Sequence, residues 1–251
     1  MPDQQPHLSI IVPSYNNANR LAASLGALSA YCHGLPFSWE LVLVDDCSSD
    51  PRAVQLLKDF AAREPGVTLL VNESNRGKGF SVRRGCLAAR GAYRVFTDVD
   101  LAYPPSEIGA ILRALEEGTD VAIACRVHPD STYIMNVGFL HYLYTRHVMS
   151  RIFNLMVRAL LLRDVRDTQA GLKGFTCRAA ETIFPRLTIS GFGFDVECLF
   201  VAQRHHLRIV QAPITFRYDS EPSTLNFVRD GAIMIRDLVH IWIGGFRGRY
   251  D

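Results

Sequence analysis

What restricts the fold of this chain most is an alternation. Short runs rich in Val, Ile and Leu recur at Leu8–Val12, Leu41–Val44, Val67–Val71, Arg94–Thr97, Val121–Ala124 and Leu207–Gln211. Most are nearly continuous in apolar residues. A strand reads this way when both faces of a largely parallel sheet are covered. Segments with helical spacing lie between them, over Asn19–Ala30, Pro51–Arg63, Gly79–Arg90 and Pro105–Glu117. Asp50 stands as N-cap to the second helix, Pro51 occupies its first turn, and Gly118 follows the fourth. The order predicts an α/β fold, a doubly wound and mostly parallel sheet flanked by helices, with ligands bound beyond the C-terminal strand ends.

After Ala124 the rhythm changes. His141–Leu162 reads as one long apolar helix carrying Arg146, Arg151 and Arg158, Gly171–Thr176 as a short strand, and Asp195–His205 as a helix. An amphipathic pattern runs through Leu225–Ile243. No Ser/Gly/Pro-rich linker interrupts the chain, so one domain over 1–224 with a helical tail over 225–251 is expected. With 48% apolar and 21% charged residues the chain is compositionally an ordinary globular protein. A net charge of +2 gives no electrostatic case for nucleic acid. The six Cys are scattered without a CxxC pair, which suits reduced thiols in the cytoplasm. Met1–His7 is polar, and the longest apolar stretches, Ile152–Leu162 and Leu238–Phe246, are about half the ~20 residues a span needs.

Polar clusters follow the strands where a doubly wound fold places its crevice. Pro13-Ser14-Tyr15-Asn16-Asn17 ends the first, and Asp45-Asp46-Cys47-Ser48-Ser49-Asp50 the second. There a carboxylate can accept from a base N–H or a ribose hydroxyl and Tyr15 can lie against a base; loop residues with a helix cap at Asp50 are the plainer alternative. Asn75-Arg76-Gly77-Lys78-Gly79 opens a helix after the third, and its glycines, helix N-terminus and basic residues suit an anion, although a basic turn looks the same. The fourth ends in Asp98-Val99-Asp100. Two carboxylates one residue apart suit a hard cation such as Mg²⁺ or Mn²⁺, whose shell substrate phosphates commonly complete.

Taken in order, Pro13-Ser14-Tyr15-Asn16, Val44 to Asp50, Asn75 to Gly79 and Asp98-Val99-Asp100 resemble the signature series of glycosyltransferase family 2, which has the GT-A fold. Thr97 to Ile108, Arg166 to Phe175 and Gly193-Phe194-Asp195-Val196-Glu197 are similar to the polyprenyl-phosphate glycosyltransferases, above all the dolichyl-phosphate glucose and mannose synthase group. The likeness spans roughly Leu8 to Leu225. It implies inverting transfer of a hexose from a nucleotide diphosphate sugar, UDP-glucose or GDP-mannose, to a polyprenyl phosphate. Carried onto this chain, Pro13, Tyr15, Asn17, Asp45, Asp46 and Lys78 would face the nucleotide sugar. Asp98 and Asp100 would hold the metal, Mg²⁺ or Mn²⁺. Arg126, Arg146, Gln169, Lys173 and Ser223 would surround the acceptor phosphate or the transferring sugar. Asp195 and Glu197 would orient a sugar hydroxyl or pair with a basic side chain. The sequence departs from the mannose synthases at Ala102, where Gln often stands, and at Glu221-Pro222-Ser223-Thr224, which lacks a family Lys.

A polyprenyl acceptor lives in a bilayer, so a peripheral protein on the inner face of a membrane is expected, with a membrane-protein partner or a second copy as further partners. His141–Leu162 and Asn226–Tyr250 are the candidate interfacial helices, with packing on the domain or a dimer interface as alternatives. Two other readings stay open. A soluble hydroxyl acceptor would need a general base, with Asp195 the first candidate. A subunit that binds nucleotide sugar without turnover would share the same fold.

Overall fold

The computed structural model describes residues 5–135, 151, 153–218 and 227–251. The predicted alternation is present. β1 (Leu8–Ser14), α1 (Ala18–His33), β2 (Trp39–Asp45), α2 (Pro51–Arg63), β3 (Val67–Val71), α3 (Lys78–Ala88), β4 (Tyr93–Thr97), α4 (Ser106–Glu116) and β5 (Val121–Ala124) follow one another. The Asp50 side chain accepts from the Arg52 N–H at 2.9 Å, capping α2 as its sequence predicts. β6 (Thr132–Met135), helical residues 153–160 (α5), β7 (Leu172–Thr176), α6 (Cys177–Ile183), α7 (Phe194–Arg204), β8 (Ile209–Ala212), β9 (Thr215–Tyr218) and α8 (Phe227–Phe246) complete the described elements. Half of the long helix expected over His141–Leu162 lies outside the described residues; its later part is seen as α5.

Seven strands form one sheet in the order β3-β2-β1-β4-β7-β5-β8. β1, β2, β3 and β4 are mutually parallel, as are β5 and β8, whereas β7 runs antiparallel to both β4 and β5. β6 and β9 form a separate parallel ribbon. Alternate β1 residues feed opposite layers, which is why Ile10, Ile11 and Val12 run together without a polar break. Leu8, Ile10 and Val12 join one core with Leu21, Leu41 and Ile111, and Ile11 joins the other with Val44, Phe96 and Phe194. All six cysteines are free thiols.

One consequence of this topology sets the site. Because β7 is antiparallel, its N-terminal end meets the C-terminal end of β4, with Leu172 opposite Thr97 and Lys173 opposite Phe96. Residues 166–173 are thereby delivered to the same edge as the ends of β1, β2 and β4.

Candidate active site

Asp98 leaves β4 with its N–H donated to the Gly171 carbonyl (3.1 Å). Its carboxylate packs so close to Gly171 that a Cβ there would lie 2.0 Å from Oδ2. Asp98 Oδ1 holds Lys78 Nζ at 2.6 Å. Burial works against the Lys78 charge, but Asp98, Asp195 and Asp100 outweigh it and raise its pKa. Asp100 is open to solvent at the end of the loop, and one of its oxygens accepts from the Ala102 N–H (3.1 Å). Crowding by protein, then the charge of Asp98, raises the Asp100 carboxyl above its usual range. The Ala102 carbonyl is engaged by the Arg217 N–H at 2.7 Å.

Lys78 is aimed by the turn before it. Gly77 has φ 94°, and a Cβ there would stand 2.5 Å from the Ser190 carbonyl oxygen, so this position needs glycine on both counts. Asp46 fastens the same turn. It accepts from the Arg76 and Gly77 N–H groups (2.9 and 2.8 Å) and from Asn72 Nδ2 (2.7 Å). Asp45 accepts from the Ser48 N–H and hydroxyl. Both acids are buried, so they shape the crevice from within. Tyr15, 44% exposed, and the partly exposed Asn17 are what the β1 end offers a ligand; Pro13 is buried. Asn16 ties that end to the next loop, donating through Nδ2 to Ser49 Oγ (3.0 Å) and accepting from the Asp50 N–H (3.0 Å).

On the other side, Lys173 is fully buried and donates to the Ala170 carbonyl (2.6 Å) and to Asp195. Burial raises the Asp195 carboxyl, with Lys173 and Lys78 working against it. Arg126 grips Asp167 with Nε and Nη2 at 2.7 and 2.8 Å, and its N–H bonds the same carboxylate. Burial pushes Asp167 upward, yet Arg126 more than compensates and leaves it below the ordinary carboxylate range. The Arg126 guanidinium stands 5.8 Å from the Phe216 ring, and Tyr133 Oη donates to the Arg126 carbonyl (2.7 Å). Tyr103 packs edge-on to Phe216, and its buried hydroxyl has no hydrogen-bond partner among the described residues.

The structure therefore brings Asp98, Asp100, Lys78, Asp195, Lys173, Asp167 and Arg126 together as interleaved acids and bases. Gln169 is partly buried, its Nε2 4.0 Å from Met234 Sδ on α8. Arg146 and Ser223, and with Ser223 the segment Glu221–Thr224, lie outside the described residues. Among the described residues Glu197 has no basic hydrogen-bond partner. Fully buried, it accepts from the Thr188 N–H and hydroxyl, the Ile189 N–H and the Tyr250 hydroxyl, fixing the loop whose Ser190 carbonyl abuts Gly77. Phe216, Tyr133 and Tyr250 were not expected at the site. Their elements are short or terminal, and no periodicity in the sequence marks them.

Asp98 and Asp100 fit a divalent cation. Mg²⁺ is commonly held by one or two carboxylates plus substrate phosphates, and these two acids stand close enough for the charge of Asp98 to add to burial in raising the Asp100 carboxyl. Among the described residues no group of three or more His, Cys, Asp or Glu side chains is placed to hold a metal alone, so the remaining ligands would come from substrate and water.

The sheet order places the paired carboxylates beyond β4 and the basic turn opening α3 at one crevice. Residues 9–184 match the family described as Glycosyl transferase family 2, and the chain belongs to it. Among its relatives, the dolichyl-phosphate beta-glucosyltransferase of Dictyostelium discoideum is 32% identical over 247 residues, covering 94% of this chain and 73% of that protein. The protein of the same name from Saccharomyces cerevisiae is 31% identical, covering 99% and 78%, and that from Drosophila melanogaster 33%, covering 94% and 74%. Glucosyl-3-phosphoglycerate synthase of Mycobacterium tuberculosis shares the fold. Its complex with UDP superposes with a TM-score of 0.66 at 17% identity, covering 94% of this chain and 80% of that one. The same enzyme has also been solved with Mn²⁺, UDP and glucosyl-3-phosphoglycerate (TM-score 0.62).

Proposed function

We propose that this chain transfers a hexose, glucose first among the candidates, from a nucleotide diphosphate sugar to a polyprenyl phosphate, with inversion at the anomeric carbon. The relatives' name favours glucose and a dolichyl phosphate acceptor; UDP-glucose is accordingly preferred to GDP-mannose. In the reaction an acceptor phosphate oxygen forms the new bond to C1 while the bond from C1 to the nucleotide diphosphate breaks, releasing the diphosphate with its electron pair.

The observation that carries this reading is the state of Asp195. A hydroxyl acceptor needs a general base, and the candidate base is buried and bound to the buried Lys173. A phosphate monoester needs none, since its second pKa of about 6 leaves it mostly a dianion at neutral pH. Arg126 supplies the cation for that dianion, and the Tyr103 hydroxyl lies within reach of its charge. Lys173 acts on the acceptor side through Asp195 rather than by contact. Tyr15 and Asn17 serve the base and ribose, and the Arg76–Lys78 turn the diphosphate. Held by Asp98 and Asp100, Mg²⁺ or Mn²⁺ would neutralise charge on the departing diphosphate. Residues 1–224 are the catalytic unit in this reading, and the protein works as a peripheral protein on the inner face of a membrane. Among the described residues no helix is long and apolar enough to cross a membrane.

The test is transfer from UDP-glucose to a short-chain, water-soluble polyprenyl phosphate with Mn²⁺, the product read by mass spectrometry. Asp98→Asn is expected to abolish turnover with the fold retained. Transfer to sugar hydroxyls in preference to the phosphate, lost in Asp195→Asn, would replace this reading with the hydroxyl-acceptor one.

A further inference from the structure

Beyond α8 the chain turns back on itself. Gly248, at φ 67°, makes the reversal in the left-handed region, and the Arg249 N–H donates to the Gly244 carbonyl (3.0 Å). The turn delivers Tyr250 into the core, where it is fully buried. Its ring stands edge-on to Phe200 at 5.6 Å, and it seats so close on α8 that a Cβ at Gly244 would lie 2.9 Å from it. Its backbone is anchored as well. The Tyr250 carbonyl oxygen is 2.6 Å from His205 Nε2, and Asp251 pairs with Arg204 at 2.5 Å. Burial, then the charge of Glu197, raises the Tyr250 hydroxyl, so it stays protonated and donates.

The acceptor of that hydroxyl is Glu197 Oε1, at 2.8 Å. The other three donors to this buried carboxylate come from one short stretch of chain. They are the Thr188 N–H (3.0 Å), the Thr188 hydroxyl (2.6 Å) and the Ile189 N–H (2.9 Å). The next residues form the floor of the Lys78 turn. The Ser190 carbonyl accepts from the Phe80 N–H (3.2 Å), and a Cβ on Gly77 would stand 2.5 Å from the same oxygen. A Cβ on Gly79 would stand 2.7 Å from the Ile189 carbonyl oxygen and 2.9 Å from that of Gly191. Lys78 lies between these two glycines. Backbone packed directly on backbone passes a displacement on, because no side chain is there to absorb it. Taking one donor from a buried carboxylate leaves a lone pair unpaired, and Thr188, bonded to the same oxygen, is the group that must shift to cover it.

We infer that Tyr250 and Glu197 are positioning residues for the nucleotide diphosphate: through Thr188–Gly191 they set the Gly77–Phe80 turn, and with it Lys78. The inference rests on the proposed role of that turn. Both side chains are buried and act through the loop backbone. The donor side of the site is thus braced from beyond α8, whereas Arg126 on the acceptor side is braced separately by Asp167.

Tyr250→Phe keeps the ring and removes only the hydroxyl. Hydrogen exchange at single amides should quicken about fivefold at Thr188, Ile189 and Phe80, with β1 and β2 unaffected. Calorimetry with UDP and Mn²⁺ should show affinity lowered about fivefold. In transfer from UDP-glucose to a short-chain polyprenyl phosphate, the donor KM should rise by the same factor while the acceptor KM stays at the wild-type value. Thr188→Val, which takes a hydroxyl from the same carboxylate oxygen without touching α8, should reproduce these effects. Leu57→Val, in the opposite core layer, controls for lost stability and should produce none of them. Wild-type exchange at Phe80 in Tyr250→Phe, equal rises in both KM values, or an equal loss of UDP affinity in Leu57→Val overturns the inference. A wild-type chain that binds no UDP overturns it as well. A wild-type chain that binds UDP but transfers nothing to the phosphate acceptor refutes the proposed reaction instead, and exchange and calorimetry still decide the role of Tyr250.

Discussion

Replacing Gly171 by Ala is the sharpest perturbation the site allows. The added Cβ would lie 2.0 Å from Asp98 Oδ2 and 2.7 Å from its Cγ. Ordinary contact begins near 3.4 Å, so one of the two groups must retreat by about 1.4 Å. The strand cannot supply that movement cheaply, because the Gly171 carbonyl receives the Asp98 N–H and Leu172 is paired to Thr97. The carboxylate therefore moves, out of its 2.6 Å contact with Lys78. A misplacement of about 1 Å in a catalytic group costs roughly 10²-fold in rate. Stability should change far less. Removing a glycine narrows the unfolded ensemble by about 0.4–1 kcal/mol, which offsets part of the loss of a mostly buried ion pair. The expected result is a soluble protein with a Tm near wild type, kcat down about 10²-fold, and Mn²⁺ affinity measured in the presence of UDP weakened in parallel. Wild-type kcat and Mn²⁺ affinity in a folded Gly171→Ala protein would show that the Asp98 position is immaterial and refute the metal assignment.

Asp100→Asn should raise the Tm of the metal-free protein at neutral pH while erasing its stabilisation by Mn²⁺ plus UDP. The sign follows from the raised Asp100 carboxyl: its ionised form is disfavoured in the fold, so its contribution is present at low pH and is lost as pH rises through the folded pKa. A pH series of thermal melts with and without metal reads it. Glu197→Gln should cost about 2–3 kcal/mol, since an amide nitrogen would face donors that now share a carboxylate, and Tyr250→Phe about 1 kcal/mol; urea melts measure both. If Glu197 also sets the Lys78 turn, its effect on UDP affinity should vanish in a Lys78→Ala background. Lys173→Met should destabilise by about 3–5 kcal/mol by leaving Asp195 buried without its cation, and Lys173→Met with Asp195→Leu should recover much of that.

How much of this was legible in the sequence follows from the range of the interactions. β1 to β5 and α1 to α4 declare themselves through local apolar spacing, and Asp50 and Pro51 mark the start of α2 within a residue. Helix α6, seven residues long, is too short to show a period. β6 and β9 are four residues each, too short to write a pattern. The strand over 172–176 is readable, but its direction is not, because pairing with β4 is chosen by contacts some 80 residues away in the chain. The motif residues come together largely as spacing implies, whereas their partners do not announce themselves. Nothing near Arg126 indicates Asp167, 41 residues on, and nothing near Glu197 indicates Tyr250.

That strand direction is also what makes the site possible. Phe96 lies opposite Lys173 in the β4–β7 register. Side chains two residues apart share a sheet face, so Asp98 follows Phe96 to the face on which Gly171 and Lys173 stand. One register thus sets the cradle for the Asp98 carboxylate, places Lys173 where Asp195 at the head of α7 can reach it, and aims both acids toward Lys78. A slip of one residue would turn Lys173 and Gly171 to the opposite layer, beneath α4, among Ile111 and Leu115. Gly174 is the safeguard. A Cβ there would lie 2.5 Å from Ile111 and 2.9 Å from Leu115, so no larger residue fits under that helix, and a lysine least of all. The packing of α4 on β7 thereby holds the strand in the one register that assembles the charges.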